Sequence, residues 1–445
     1  MRTARLCLSV AATLLVALSA SSCGSVDAEE GQASGETDAR SPVAGRGATD
    51  DARELASANA DFAFDLYGRL ASRPGNIFLS PHSISTALGM TYAGARARTA
   101  DQMASALRLP SLAVDASTAP QASDEYRALL AQAFGSLSSS VGSESSSGGH
   151  VLAEANALWG HEGHPFLDTF LSLNRDGFGA GLSRLDFEGD VEGARQTINA
   201  WVEEKTQGKI EDLIRRGDLD PLVRIVLTNA VYFKGRWAEQ FDAGSTRDAA
   251  FHREPGNPDM DVTVPMMARK GEYGYARVEG QGIAVAELPY EGGGASMLVI
   301  LPDEGAPGGL KALEERLDRG SLDEWVSQLG KREILLSLPR FDMTWGTENI
   351  IPELEALGMV DLFSDGADLS GIDGTQELYV SRVLHKAFVE VNEEGTEAAA
   401  ATAVIGRLKA SMPLEFRADR PFLFLIRDVE TGSILFMGRV TDPTA

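Results

Sequence analysis

The stretch from Leu384 to Met412 constrains the rest of the chain most. His385, Ala387, Val389 and Val391 alternate with Lys386, Phe388, Glu390 and Asn392, the two-residue period of a strand. The run Glu393-Glu394-Gly395-Thr396-Glu397-Ala398-Ala399-Ala400-Ala401 follows, with no large apolar residue before Val404 and no proline before Pro413. Alanines favour helix, so a solvent helix and a plain loop are both open readings. Read as a strand, Thr396, Ala398, Ala400, Thr402, Val404 and Gly406 share one face, and all are small or β-branched. Such a strand could slide between two others and donate every backbone N–H there, which a proline would prevent. Gly395 supplies a pivot free of the Cβ restriction. An inserting strand needs one large sheet to enter.

The rest of the chain offers that sheet. Leu55, Phe62, Leu66 and Leu70 fall on one helical face. Asn76 to Pro81 reads as a short strand with a break, and Ile84 to Ala95 as a buried helix of small residues. Gly135 to Gly149, rich in Ser and Gly, reads as a mobile loop. Val151–Trp159, Ile225–Phe233 and Leu335–Leu338 read as strands, and Val191–Thr206 as a helix. Ala284–Leu288 and Ser296–Leu301 flank Glu291-Gly292-Gly293-Gly294, a hairpin signal, and Phe422–Arg427 with Ser433–Val440 close the chain. Helices early and strands late point to α+β with a large mixed sheet. No repeat or linker breaks 51–445, so we expect one domain there despite the 445-residue length.

The N-terminus reads as an address. Arg2 and Arg5 precede the apolar run Leu6–Leu18, then Ser19-Ala20-Ser21-Ser22 and Cys23. That is the basic, apolar, small layout of a secretory signal over 1–22. A cysteine after small residues resembles the lipobox of bacterial lipoproteins, with Ala20 where that motif usually has Leu. Lipidation at Cys23 would then anchor the chain to the cell envelope; cleavage near Ala20 would leave it secreted. Residues 23–50 carry almost no large apolar side chain and read as a flexible tether. Cys7 and Cys23 are the only cysteines, so the folded body has no thiol chemistry.

Lys and Arg number 40 against 65 Asp and Glu, a net charge of −25. That argues against nucleic acid as a partner, because phosphate binding needs clustered cations. Enzyme signatures are also missing. No Gly-x-Ser-x-Gly elbow or His-Glu-x-x-His helix occurs, and His161 and His164 read as a pair of surface loop histidines. The Gly-Lys pairs are followed by Ile210 and Arg332, so there is no P-loop. We expect no enzyme, no cofactor and no metal.

Five segments together resemble the serpin family over essentially all of 51–445. They are Asn76-Ile-Phe-Leu-Ser-Pro-His-Ser-Ile-Ser, Ile198-Asn-Ala-Trp-Val-Glu-Glu-Lys-Thr-Gln-Gly-Lys-Ile, Leu227-Thr-Asn-Ala-Val-Tyr-Phe-Lys-Gly-Arg-Trp, Glu393 to Ala401, and Phe416-Arg-Ala-Asp-Arg-Pro-Phe-Leu-Phe-Leu-Ile. With the lipoprotein-like leader, the likeness is to a bacterial serpin of the inhibitory type. The resemblance implies a single-domain fold with a large mixed central sheet, smaller sheets, about eight to nine helices and an exposed reactive-centre loop near 393–415. It implies a suicide inhibitor: a target serine protease cuts the loop, is held as a covalent acyl complex, and is trapped when the loop inserts into the main sheet. It makes Glu393, Glu394, Gly395, Thr396, Glu397, Ala398, Ala399, Ala400 and Ala401 the hinge. Family spacing puts the scissile bond at Lys409–Ala410, with Ala410–Ser411 and Arg407–Leu408 as alternatives. Lys409 or Arg407 suits a trypsin-like protease; Ala410 or Leu408 suits elastase- or subtilisin-like enzymes. Ser80, Ser83, Asn229 and His385 match a polar shutter under the sheet, and Trp237 the tryptophan under the insertion point. No Lys/Arg run lies between Gln102 and Phe134, so we expect no heparin activation. The expected species is a monomer that meets a membrane only through its lipid. The alternative is a non-inhibitory serpin acting as a binding or carrier protein.

Overall fold

The computed structural model describes residues 48–112, 123–147, 150–396 and 414–445. All of these lie in one compact unit, Arg46–Ala445. The leader, Cys23 and the loop residues Glu397 to Pro413 lie outside the described residues.

Two sheets carry the strands. The first runs β10 (Phe341–Asn349), β11 (Leu384–Val391), β4 (Ile225–Arg236), β2 (His150–His161) and β3 (Leu182–Leu185). It is mixed: β4 is parallel to β11 and β2 to β3, while β2–β4 and β10–β11 are antiparallel. The two-residue strand β12 (Gly395–Thr396) adds to the end of β4. The second sheet runs β1 (Ile77–Leu79), β15 (Ile434–Val440), β14 (Phe422–Asp428), β8 (Ala295–Pro302), β7 (Ile283–Pro289), β6 (Asp261–Val278), β9 (Gly330–Pro339) and β13 (Leu414–Arg417). Strand β5 (Arg247–His252) pairs with β6 beside that path. The expected hairpin around Glu291 to Gly294 is β7–β8.

Ten helices occur among the described residues: α1 (Ala48–Leu70), α2 (Pro81–Tyr92), α3 (Ala97–Ala106), α4 (Asp124–Ser147), α5 (Asp168–Gly177), α6 (Val191–Lys205), α7 (Gly309–Glu314), α8 (Arg319–Ser327), α9 (Ile351–Ala356) and α10 (Ser370–Asp373). The expected eight to nine is exceeded by short elements. A helix of one or two turns has too few residues to show a stripe.

Helix α2 explains how the first sheet is supported. Ser80 stands at the N-cap in extended conformation, its hydroxyl accepting from the Ser83 N–H, and Pro81 occupies the first helical turn. Every residue of α2 is buried. One apolar cluster joins α1 to α4 with the inner face of β4, including Leu66, Ile84, Leu88, Phe134 and Leu227. A second fills the space between the sheets, with Phe78 stacked on Phe424 and Phe436 at 5.7 and 5.1 Å. A third lies on the other face, where Ile198 and Val202 of α6 meet Ala155, Ala157 and Ala230.

Two sequence expectations are corrected. The Ser/Gly tract after Gly135 is not a loop: α4 runs through it to Ser147. Leu130, Phe134, Leu137 and Val141 form a buried stripe at helical spacing. Gly135 lets α4 approach α5 so closely that a Cβ would stand 2.1 Å from the Gly177 carbonyl oxygen. His161 and His164 are not an exposed loop pair either. His161 is buried, its Nδ1 accepting from the Phe187 N–H at 3.3 Å, and His164 Nε2 stands 2.9 Å from the Asp373 carboxylate. Strands β5, β6 and β10 escaped the apolar pattern. Pro265, Gly271 and Gly274 with Arg269, Lys270 and Glu272 interrupt the alternation in β6.

Candidate functional site

The site lies along the seam between β4 and β11. Over Thr228–Tyr232 these strands are hydrogen-bonded neighbours of Leu384–Phe388, in parallel register. No strand separates them there. Beyond Tyr232 and Phe388 the register ends, and Gly395–Thr396 pairs instead with Arg236 and Gly235.

The lower half of the seam holds a polar row. Asn156, Asn229 and His385 are successive register partners across β2, β4 and β11. His385 is fully buried. Its Nε2 accepts the Ser80 N–H at 3.2 Å, which leaves Nδ1 as the protonated nitrogen, bonded to Asn229 Oδ1. Asn229 Nδ2 donates to Ser83 Oγ and Asn156 Oδ1, both at 2.8 Å, and Ser83 Oγ donates to Asn156 Oδ1 at 2.9 Å. Burial in this neutral setting lowers the His385 pKa to about 3. The imidazole is therefore neutral at physiological pH and acts as a hydrogen-bonding bridge. Gly346 faces the same strand: its φ is +113° and a Cβ would stand 1.9 Å from the His385 carbonyl oxygen.

The upper end holds the hinge. Trp237 stacks on Tyr290 at 4.7 Å with 13° between the rings. Its backbone N–H donates to the Glu394 carbonyl (2.9 Å) and its indole N–H to the Asn392 carbonyl (3.0 Å). Thr396 is 0% exposed and its hydroxyl meets the Tyr290 hydroxyl at 3.1 Å. Burial holds the Tyr290 pKa above that of a free phenol. Glu393 is buried; its carboxylate accepts from Thr246 Oγ1 at 2.6 Å and lies 3.5 Å from Arg340 Nε. Its carbonyl accepts the Phe241 N–H at 2.7 Å. Gly395, at φ +156°, comes so near β4 that a Cβ would stand 2.0 Å from the Gly235 carbonyl oxygen. Only glycine fits that approach.

Ser80, Ser83, Asn229 and His385 thus meet in one cluster. Trp237 meets Glu393 to Thr396 in a second, at the other end of β4. The remaining hinge residues Glu397 to Ala401 and the candidate bond residues Arg407, Leu408, Lys409, Ala410 and Ser411 lie outside the described residues. Sequence reasoning missed Asn156, Thr246, Tyr290, Arg340 and Asn392. For Asn156 a signal existed: it is a polar residue at an inward position of β2, two places before the buried Leu158. Thr246, Tyr290 and Arg340 are visible only once the strands are paired, whereas the Asn392 side chain acts within its own turn. Among the described residues no group of three or more His, Cys, Asp or Glu could hold a metal ion.

The Serpin (serine protease inhibitor) family model matches residues 57–443. The chain is 40% identical over 398 residues to the human leukocyte elastase inhibitor, covering 88% of this chain and 100% of that protein. The structure of uncleaved ovalbumin superposes with a TM-score of 0.76 at 30% identity, over 88% of this chain and 100% of that one. Human thyroxine-binding globulin superposes with a TM-score of 0.75, also at 30% identity, over 89% and 100%. With the family model, the near full-length relative and the shared fold all in agreement, this chain belongs to the serpin family.

Proposed function

We propose that this chain is a single-use inhibitor of serine proteases that traps the acyl-enzyme by inserting its cut loop between β4 and β11. One observation carries the reading. The seam is closed by direct β4–β11 pairing below, while its upper end already holds the first two residues of the inserting strand. Parallel neighbours β4 and β11 can each accept an antiparallel strand between them. Extending the register of Gly395–Arg236 and Thr396–Gly235 by sequence position sets Ala398 opposite Phe233, Ala400 opposite Val231 and Thr402 opposite Asn229. It sets Gly406 opposite Ile225, where β4 begins. All the residues on the Thr396 side are small or β-branched, and the sheet's length is used up just before Arg407.

The energetics favour this end state. A dozen added backbone bonds at roughly 0.5–1.5 kcal/mol net each amount to on the order of 10 kcal/mol. The uncut chain is then held by a barrier and not by its free-energy minimum. Part of that barrier is the polar row, because the His385–Asn229 bond spans the seam and must break before a strand can pass. Composition supports the choice of partner. Lys409 at a Lys409–Ala410 bond, or Arg407 in the alternative, fits a trypsin-like protease with an acidic specificity pocket. The leader, with Cys23 after small residues, supports export of a monomer held to the cell envelope by a lipid. The sequence boundary at residue 51 moves slightly: α1 already begins at Ala48, so the proposed tether ends before it.

Incubation with trypsin tests this reading. A covalent band on a denaturing gel is expected, together with a released C-terminal peptide whose mass identifies the cut bond. Cleavage with no covalent band against trypsin- and elastase-like enzymes would support the carrier alternative.

A further inference from the structure

We infer that Asn392 is a positioning residue for loop insertion: it holds, before any cut, the hairpin turn about which the loop folds down. This rests on the inhibitory reading above. Strand β11 ends at Val391, β12 begins at Gly395, and β12 is antiparallel to β4. The chain therefore reverses direction within three residues. Asn392 uses every hydrogen-bonding group it has to fix that reversal. Its N–H donates to the Gly395 carbonyl at 2.8 Å, the closing bond of a two-residue loop formed by Glu393 and Glu394. Its own carbonyl is engaged by the Trp237 indole at 3.0 Å. The side-chain Oδ1 takes the reciprocal bond in its place, accepting from Gly395 N–H at 3.3 Å and from Glu394 N–H at 3.1 Å. Nδ2 donates to Glu390 Oε1 at 3.2 Å, and Glu390 lies 3.6 Å from Lys209 Nζ.

A strand leaving β11 through such a turn comes back antiparallel to β11 as well as to β4. That is the direction an inserted strand must take. The turn is thus already in its end-state form and need not be released when the loop enters. Preorganisation of this kind removes an ordering cost from the step that competes with hydrolysis of the acyl-enzyme. An alanine would free the Glu394 and Gly395 amides and let the turn open. A serine hydroxyl can still accept from the N–H two residues on, though more weakly. The opposite role, a brake that must let go, predicts effects of opposite sign.

The test compares the full chain with Asn392→Ala and Asn392→Ser against trypsin. The readouts are the stoichiometry of inhibition, the association rate, and the melting temperature of each uncut protein. Loss of an Asx cap is expected to raise the stoichiometry roughly fivefold in Asn392→Ala. The product of stoichiometry and association rate, which reports loop cleavage, should not change. Asn392→Ser should fall between the two. An unchanged or lower stoichiometry in Asn392→Ala would overturn the proposal, as would an effect equal in both variants. If the wild type forms no covalent complex, the inhibitory reading fails separately. The turn is then tested by the rate at which each protein gains thermal stability after a single nick in 397–413. A slower gain in Asn392→Ala supports the inference; an equal or faster gain, or no gain in the wild type, overturns it.

Discussion

The two ends of the β4–β11 seam are built from the same two strands and behave as opposites. Below, Thr228–Tyr232 and Leu384–Phe388 are joined directly, and a neutral polar row beneath them has its cross-seam bonds made. Above, the strands part and Gly395–Thr396 occupies the opening, under Trp237 and Tyr290. The lower end uses side-chain hydrogen bonds between uncharged groups, each modest in net value and each able to break. The upper end uses close packing, a glycine with no room for a Cβ and a buried carboxylate. On the insertion reading proposed above, the lower end resists a strand and the upper end guides it in.

Substitutions should separate these roles. Thr396→Arg should have the largest effect. It would force a guanidinium into a fully buried place beside Tyr290, and an unpaired buried charge costs several kcal/mol. The upper end would no longer seat its guest strand. Complex formation with trypsin, read on a denaturing gel, should fall at least about tenfold while the loop is still cut. Next comes Glu393→Lys, which places a cation beside Arg340 and leaves Thr246 without its acceptor. Arg340 is half-exposed, so most of the loss is the Thr246 hydrogen bond to the carboxylate, and it should cost about 2 kcal/mol, measured as a lower urea midpoint with the slope unchanged.

The lower end should show itself in acid. His385 has a folded pKa of about 3, below the value of about 6.5 for an unfolded histidine. The unfolded chain takes up a proton in that window and the folded chain does not. Its contribution to stability is therefore complete above about pH 6.5 and is lost as the pH falls toward 3. The slope is about 1.4 kcal/mol per pH unit. Urea titrations at pH 6.5 and pH 5 should show this excess slope in the wild type relative to His385→Gln. Equal slopes would mean that His385 is not held neutral. The smallest effect is expected for Ser83→Ala. It removes the hydroxyl that accepts from Asn229 and donates to Asn156. A loss of about 1 kcal/mol is expected by chemical denaturation. A faster spontaneous loss of inhibitory activity on warming would sharpen the gating role.

The sequence made some of this legible and hid the rest, for identifiable reasons. The alternation His385 to Val391 exposes β11, because period-two patterning reports on one chain segment alone. Ser80, Ser83, Asn229 and His385 came from family resemblance, and the structure brings them within hydrogen-bonding reach of one another. Tyr290, Thr246 and Arg340 were out of reach, since each acts on a residue 53 or more positions away. Register between distant strands decides those contacts, and no local pattern states it. Helix α4 was misread because composition outweighed spacing. Its Leu130, Phe134, Leu137 and Val141 stripe was present, but the Ser and Gly residues around it carry the signature of a loop.

Inhibition by insertion requires that the cut loop enter the seam. The most direct measurement is the melting temperature of the full chain before and after a single cut within 397–413. A gain on the order of 10 kcal/mol should raise it by on the order of 10 °C or more, with both fragments still together. An unchanged or lower melting temperature after the cut would contradict insertion between β4 and β11.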